Sequence, residues 1–271
     1  MRFLATREDI FKFVEHCKKM SPKFELVDGK KNSYLMNVID GLIWPFNPKF
    51  LDDYITTIIG KVYFPDGMMY RDPISTLEIG SHEFIHSDDA RRLTPPLFAL
   101  LYLSPQILAI ITMALYGSLV SWVGFLPFVA LAIHLAVTAT TFKVRRFTGF
   151  PLLSLAIVGS IVLSAVLVGL QALWMVVAIV PMAPIPSPGR AWAEFRGYGM
   201  SIHFEIWLDG RTNLIRKLKQ FTTALYYFMW PFADAVMKRL KRYEERARAG
   251  DVTDPAYLHV MEFMNGLKPK Q

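Results

Sequence analysis

Polar and apolar positions divide the chain into four zones. Residues 1–92 alternate short polar and apolar stretches, residues 93–142 and 147–186 carry no charge at all, and residues 187–271 return to a mixed pattern. In the first zone Ile10, Phe11, Phe13, Val14 and Cys17 recur at helical spacing, which predicts an amphipathic helix from Arg7 to Lys19. Glu25-Leu26-Val27 before Asp28-Gly29 predicts a strand and a turn, and Lys61 to Phe64, stopped by Pro65-Asp66-Gly67, predicts another strand. Phe50 to Ile59 is apolar at helix-like spacing. Ile74 to Ile79 reads as strand-like and leads through a turn at Gly80-Ser81 into a helix beginning near His82. Together these elements predict a small α+β unit over residues 1–92.

A membrane helix needs about 20 apolar residues, so residues 93–142 fit a membrane helical hairpin. Residues 147–186 fit either a second hairpin or one long tilted span. Lys143, Arg145 and Arg146 lie between the two blocks and belong on the cytoplasmic side. The expected fold is therefore mainly α, an integral membrane helical protein with a small α+β N-terminal part. In the last zone, residues 187–271 form a cytoplasmic helical part. Ala191 to Ile206 reads as a helix. Six aromatic residues between Phe221 and Phe232 precede Lys238, Arg239, Lys241, Arg242, Arg246 and Arg248, which suits either a basic interfacial helix or a solvated one. Asp254-Pro255 starts a final short helix with Gly266 beyond its end.

Composition supports this picture. Apolar residues make up 53% of the chain and charged residues 20%, which argues against a simple soluble enzyme, a disordered protein and a nucleic-acid-binding module. The formal charge of +7 is unevenly spread: residues 1–92 hold 13 Lys and Arg against 14 Asp and Glu, and residues 187–271 hold 14 against 9. Basic residues flanking apolar blocks indicate a lipid bilayer as partner and no nucleic acid. The single cysteine, Cys17, excludes an internal disulfide. Met1 to Met20 has charges but no apolar run, so no signal peptide is expected there.

The chemistry-bearing motif is His82-Glu83-Phe84-Ile85-His86, an HExxH sequence. On a helix, positions i and i+4 share a face, so His82 and His86 can bind one Zn²⁺, and Glu83 can serve as the general base that moves a proton from water to a leaving amine. Arg92 occupies the position where the metzincin pattern requires its last histidine, which excludes that form. A catalytic zinc still needs a third protein ligand. Glu194, a lone carboxylate in the stretch Ala191 to Tyr198, is the best choice, and Asp209 in Leu208-Asp209-Gly210 is the competitor. Asp89, three residues after His86, could orient a ligand histidine. His134 and His203 are weaker candidates, and His16 and His259 carry no constellation.

HExxH followed by apolar blocks and then a helix with a single Glu resembles the membrane gluzincins, the CAAX-prenyl-protein peptidases and the bacterial heat-shock membrane peptidases. The resemblance covers the site and the order of parts. It implies His82, His86 and Glu194 as zinc ligands and Glu83 as base. Those families commonly have Asp four residues after the ligand Glu, where this chain has Tyr198; that side chain could instead donate a hydrogen bond to a tetrahedral oxyanion. The sequence is also similar to HExxH proteins of tailed phages. The site-2-type proteases share HExxH with a later Asp-Gly, but theirs lies inside a membrane helix, whereas Glu78, Asp88, Asp89, Arg91 and Arg92 bracket this one.

These readings lead to a membrane-bound zinc metalloendopeptidase with a polypeptide substrate and its zinc site on the cytoplasmic face. Ligands on both sides of residues 93–189 then require an even number of membrane crossings. The alternatives are a non-catalytic membrane scaffold with a structural or vestigial metal site, and a site-2-type protease that uses Asp209.

Overall fold

The computed structural model describes residues 5–43, 49–58, 60–104, 186–223 and 229–267. Local sequence chemistry sets where its elements begin. Helix α1 (Arg7–Lys18) opens with a capping box: Thr6 accepts from the Asp9 amide while the Asp9 carboxylate accepts from the Thr6 amide. It buries Ile10, Phe13, Val14 and Cys17. Phe11, expected on the same face, is 56% exposed, because it points away from the stripe the other four define.

Strands β1 (Glu25–Asp28), β2 (Thr56–Ile58) and β3 (Lys61–Phe64) form one sheet in the order β1-β3-β2. β3 is central, parallel to β1 and antiparallel to β2. The helix-like spacing over residues 50–59 yields only one turn, α3 (Phe50–Asp53), before the chain extends into β2. Lys30 accounts for this. Its buried ammonium donates to the Phe50 carbonyl at 2.7 Å, the Tyr54 carbonyl at 2.9 Å and Thr56 Oγ1 at 2.7 Å, and so gathers residues 50–56 around one cation. Helix α2 (Tyr34–Ile43) packs beside α3 and β3 through Met36.

After the turn α4 (Met68–Arg71), helix α5 (Pro73–Leu93) runs unbroken through the HExxH motif. The expected strand over 74–79 and turn at Gly80-Ser81 are therefore corrected. Asp72 caps the helix by accepting from the Ile74 and Ser75 amides, and Pro73 occupies its first position, so the helix starts before the segment expected as a strand. Helix α6 (Pro95–Leu103) follows, and the later chain forms α7 (Pro188–Asp209), α8 (Leu214–Thr222), α9 (Ala233–Arg248) and α10 (Pro255–Gly266).

Helices α5 and α7 form the central pair. One apolar core joins α1, the sheet, α5, α7 and α10 around Phe13, Phe24, Phe64, Phe84, Met200 and Phe204; a second joins α7 to α8 and α9 around Phe195, Phe221, Val236 and Leu240. Full burial of each such side chain contributes about 1.5–3 kcal/mol before entropy is counted.

Among the described residues no helix is long and apolar enough to cross a membrane. This overturns the integral membrane fold and the location at a membrane's cytoplasmic face. The two longest helices, α5 and α7, carry charges along their length, including Glu78, Glu83, Asp88, Asp89, Arg196 and Glu205. The apolar α6 has 9 residues, or about 14 Å at 1.5 Å per residue, half of a hydrocarbon core of about 30 Å. The hairpin expected over 93–142 falls, beyond residue 104, outside the described residues. So do the block expected over 147–186, apart from residue 186, and His134. What stands is a mainly helical protein with a small sheet.

Candidate metal centre

The centre lies where α5 faces α7. Helical periodicity places His82 and His86 one above the other on α5, and Glu194 comes from the first turns of α7. All three are buried. His82 Nε2 lies 3.1 Å from His86 Nε2 and 3.4 Å from Glu194 Oε2, and His86 Nε2 lies 3.9 Å from Glu194 Oε1. Their ligand atoms all fall within 4.8 Å of one another.

Several contacts fix these side chains. Gly197 packs directly against the His82 ring: a Cβ there would meet His82 Cε1 and Nε2 at 2.6 Å. His82 Nδ1 faces Ser201 Oγ at 3.3 Å, so a hydrogen on Nδ1 leaves the Nε2 lone pair toward Glu194. The Tyr102 hydroxyl donates to Glu194 Oε1, and its ring packs edge-on to His86. The α6–α7 approach that brings Tyr102 in depends on Gly189, where a Cβ would meet the Leu101 carbonyl oxygen at 2.3 Å. His86 Nδ1 is buried with no hydrogen-bond partner among the described residues.

Glu83 lies beside the centre, where its charge acts on His82 and His86, and also reaches the sheet. It is half-buried and accepts a hydrogen bond from Thr57 Oγ1 at 2.7 Å. Thr57 belongs to β2, at the edge of the sheet. Tyr198 lies one turn after Glu194 and packs edge-on against His82, with ring centroids 4.7 Å apart.

Electrostatics favour a cation at the centre. Burial pushes the Glu194 carboxyl up, but its bonds to His82 and Tyr102 and the His86 charge hold it down at about 2. Burial pulls His82 down, yet the Glu194 hydrogen bond and the Glu83 and Glu194 charges raise it overall. His86 stays below the ordinary histidine value, chiefly through burial. Two imidazole nitrogens and a carboxylate aimed at one point repel one another unless a proton or a metal sits between them. The donor set fits zinc: tetrahedral coordination with bonds of about 2.0–2.1 Å sets ligand atoms about 3.3 Å apart.

The other candidates go elsewhere. Asp209 is exposed at the end of α7, about 22 Å along the helix from Glu194 at 1.5 Å per residue. Asp89 is fully buried but pairs with Arg196, whose guanidinium also meets Asp254 at 2.6 Å and Asp88 at 3.9 Å. His203 is buried and donates from Nδ1 to the Gly199 carbonyl, away from the cluster. His16 and His259 do form a constellation. Their rings stack at 3.9 Å, and each Nε2 donates to the other's carbonyl at 2.8 Å, next to Glu262. Their ligand atoms and that of Glu262 also lie within 4.8 Å of one another, but Glu262 is exposed and the two rings half-buried, whereas His82, His86 and Glu194 are all buried.

Three participants were missed in the sequence. Tyr102 sits in an apolar run that reads as membrane, Gly197 has no side chain to flag it, and Thr57 is brought near only by the sheet. Comparison with known proteins gave no family model, no curated protein and no solved structure that matches the chain.

Proposed function

We propose that this protein is a zinc-dependent metallopeptidase whose centre is His82, His86 and Glu194, with Glu83 as general base. The observation that carries the reading is the convergence of three buried ligand atoms from two helices, one of which also holds Glu83, whose charge acts on both histidines. Zinc bound there supplies Lewis acidity, which polarises a carbonyl and acidifies water.

The chain's own residues supply the rest. Glu83 takes the proton of the attacking water and returns it to the leaving amine. Thr57 holds one Glu83 oxygen and leaves the other for that exchange. Tyr102 and Ser201 orient Glu194 and His82. Tyr198, packed against His82, donates to the oxygen that gains charge in the transition state. A peptide is the fitting substrate because β2 is an edge strand beside Glu83, and an extended chain can add to such an edge through backbone hydrogen bonds.

The site-2-type alternative loses its third ligand, since Asp209 is not in the cluster. The test is Glu83→Gln. It should keep zinc and the fold while hydrolysis of an unstructured protein such as casein falls about 10²–10⁴-fold. Unchanged hydrolysis would overturn the assignment of the base. A zinc-loaded, folded wild-type protein that cleaves no peptide bond would overturn the peptidase reading.

A further inference from the structure

Residues 211–248 contain ten Lys and Arg and three Asp and Glu, a balance of +7, equal to the formal net charge of the whole chain. The remaining residues are balanced. All of this charge but that of Arg211 belongs to one pair of packed helices, α8 and α9. Arg216 and Lys219 on α8, and Lys238, Lys241 and Arg242 on α9, are exposed, and among the described residues none of them lies within 4.0 Å of a carboxylate. Basic helices usually relieve such repulsion with i,i+4 partners. Here Arg248 has Glu244 and Arg246 has Asp251; of the five exposed cations only Arg216 acts on a carboxylate, Glu78, and it does so from beyond ion-pair distance.

The face adjoins the candidate metal centre. Lys217, buried between α8 and α7, pairs with Glu205 at 2.8 Å and sits 5.8 Å from the centroid of the Tyr198 ring, which in turn packs on His82. On α9, the Arg239 guanidinium lies 4.5 Å above the ring of Phe195, the residue after Glu194. The cationic surface thus begins within two side-chain layers of the ligands. Ile215 and Phe232 are exposed on the same two-helix unit, which suits a partner with apolar side chains as well as charge.

We propose that the α8–α9 face receives acidic polypeptide segments and delivers them to the neighbouring centre, so that the substrate class is acidic polypeptide. This rests on the peptidase reading above for its second half only; capture of the acidic chain is independent of hydrolysis. Unpaired like charge on one surface raises the local concentration of an oppositely charged chain and its association rate, and salt weakens both effects.

The experiment uses the full-length zinc-loaded Glu83→Gln protein and fluorescein-labelled peptides of equal length, one rich in Glu, one rich in Lys and one neutral. Fluorescence anisotropy should show the Glu-rich peptide binding at least about tenfold more tightly than the other two. That preference should fade as the Debye length shrinks from about 10 Å at 0.1 M salt to about 3 Å at 1 M. The combined reversal Lys238→Glu, Lys241→Glu, Arg242→Glu should abolish it, with zinc content and circular dichroism unchanged. Equal binding of all three peptides, or a charge-reversed protein that binds as well as its parent, would overturn the proposal. Preferential binding of a single-stranded oligonucleotide or of phosphatidylglycerol vesicles, lost on the same reversal, would reassign the surface and also overturn it. The wild-type protein is then given the same peptides. Capture without cleavage would sink the peptidase reading and leave the receiving surface standing. Cleavage without acidic preference would do the reverse.

Discussion

Gly197→Ala separates metal-site geometry from fold stability. In an ordinary helix interior this change is favourable by about 1 kcal/mol, because alanine loses less backbone entropy than glycine. At this position the new methyl carbon would lie 2.6 Å from His82 Cε1 and Nε2. An ordinary carbon contact is about 3.5–4.0 Å, so the ring must retreat by roughly 1 Å. Zinc–nitrogen bonds tolerate a few tenths of an ångström around about 2.0–2.1 Å, and a ring displaced that far no longer binds. Structural zinc sites bind with about 10–16 kcal/mol overall, or roughly 3–4 kcal/mol per ligand, so loss of one ligand weakens affinity by at least about a hundredfold. Chelator competition would measure that affinity, and thermal unfolding in EDTA would measure the metal-free fold. We expect zinc binding to collapse while the metal-free melting temperature changes little or rises. Wild-type zinc affinity in Gly197→Ala would refute the claim that His82 is held in its ligand position by contact with α7.

Three further outcomes follow from the same geometry. Tyr102→Phe removes the hydroxyl that donates to Glu194 Oε1, and zinc affinity by chelator competition should fall about 10–100-fold with the fold retained; an unchanged affinity would dismiss Tyr102 as a positioning residue. Tyr198→Phe keeps the ring that packs on His82 and should lower kcat by about 10²-fold with KM little changed; a change confined to KM would move Tyr198 from chemistry to binding. His16 and His203 are both held below the ordinary histidine value, chiefly by burial. Their folded state favours the neutral ring, so their contribution to stability is present above the unfolded value of about 6.5 and is lost as pH falls below it. The metal-free melting temperature should therefore drop on acidification below that point, and less steeply in His203→Gln; an identical slope would exclude His203 as a contributor.

Residue spacing made half of the site legible. HExxH is a statement about helical periodicity, and α5 presents both histidines on one face as that periodicity requires. Glu194 stands out as the lone carboxylate in a mostly apolar stretch of a predicted helix. The role of Asp89 stays open in the sequence because spacing on one helix does not reveal Arg196 arriving from α7. The long uncharged runs were read as membrane spans on hydropathy, and the same reading hid Tyr102, whose role depends on α6 folding back against α7. Ile74 to Ile79 reads as strand-like on its own, while the stronger signal, Asp72-Pro73 as a helix start, lies just upstream. His16 and His259 are 243 positions apart, and only the packing of α1 on α10 could pair them.

The central claim is that His82, His86 and Glu194 hold one zinc. Its most direct test is the zinc content of the purified protein measured beside Glu194→Ala and Asp209→Ala. The account predicts about one zinc per chain, lost in Glu194→Ala and kept in Asp209→Ala. No zinc in the folded wild-type protein at neutral pH, or zinc lost with Asp209→Ala and kept with Glu194→Ala, would contradict it.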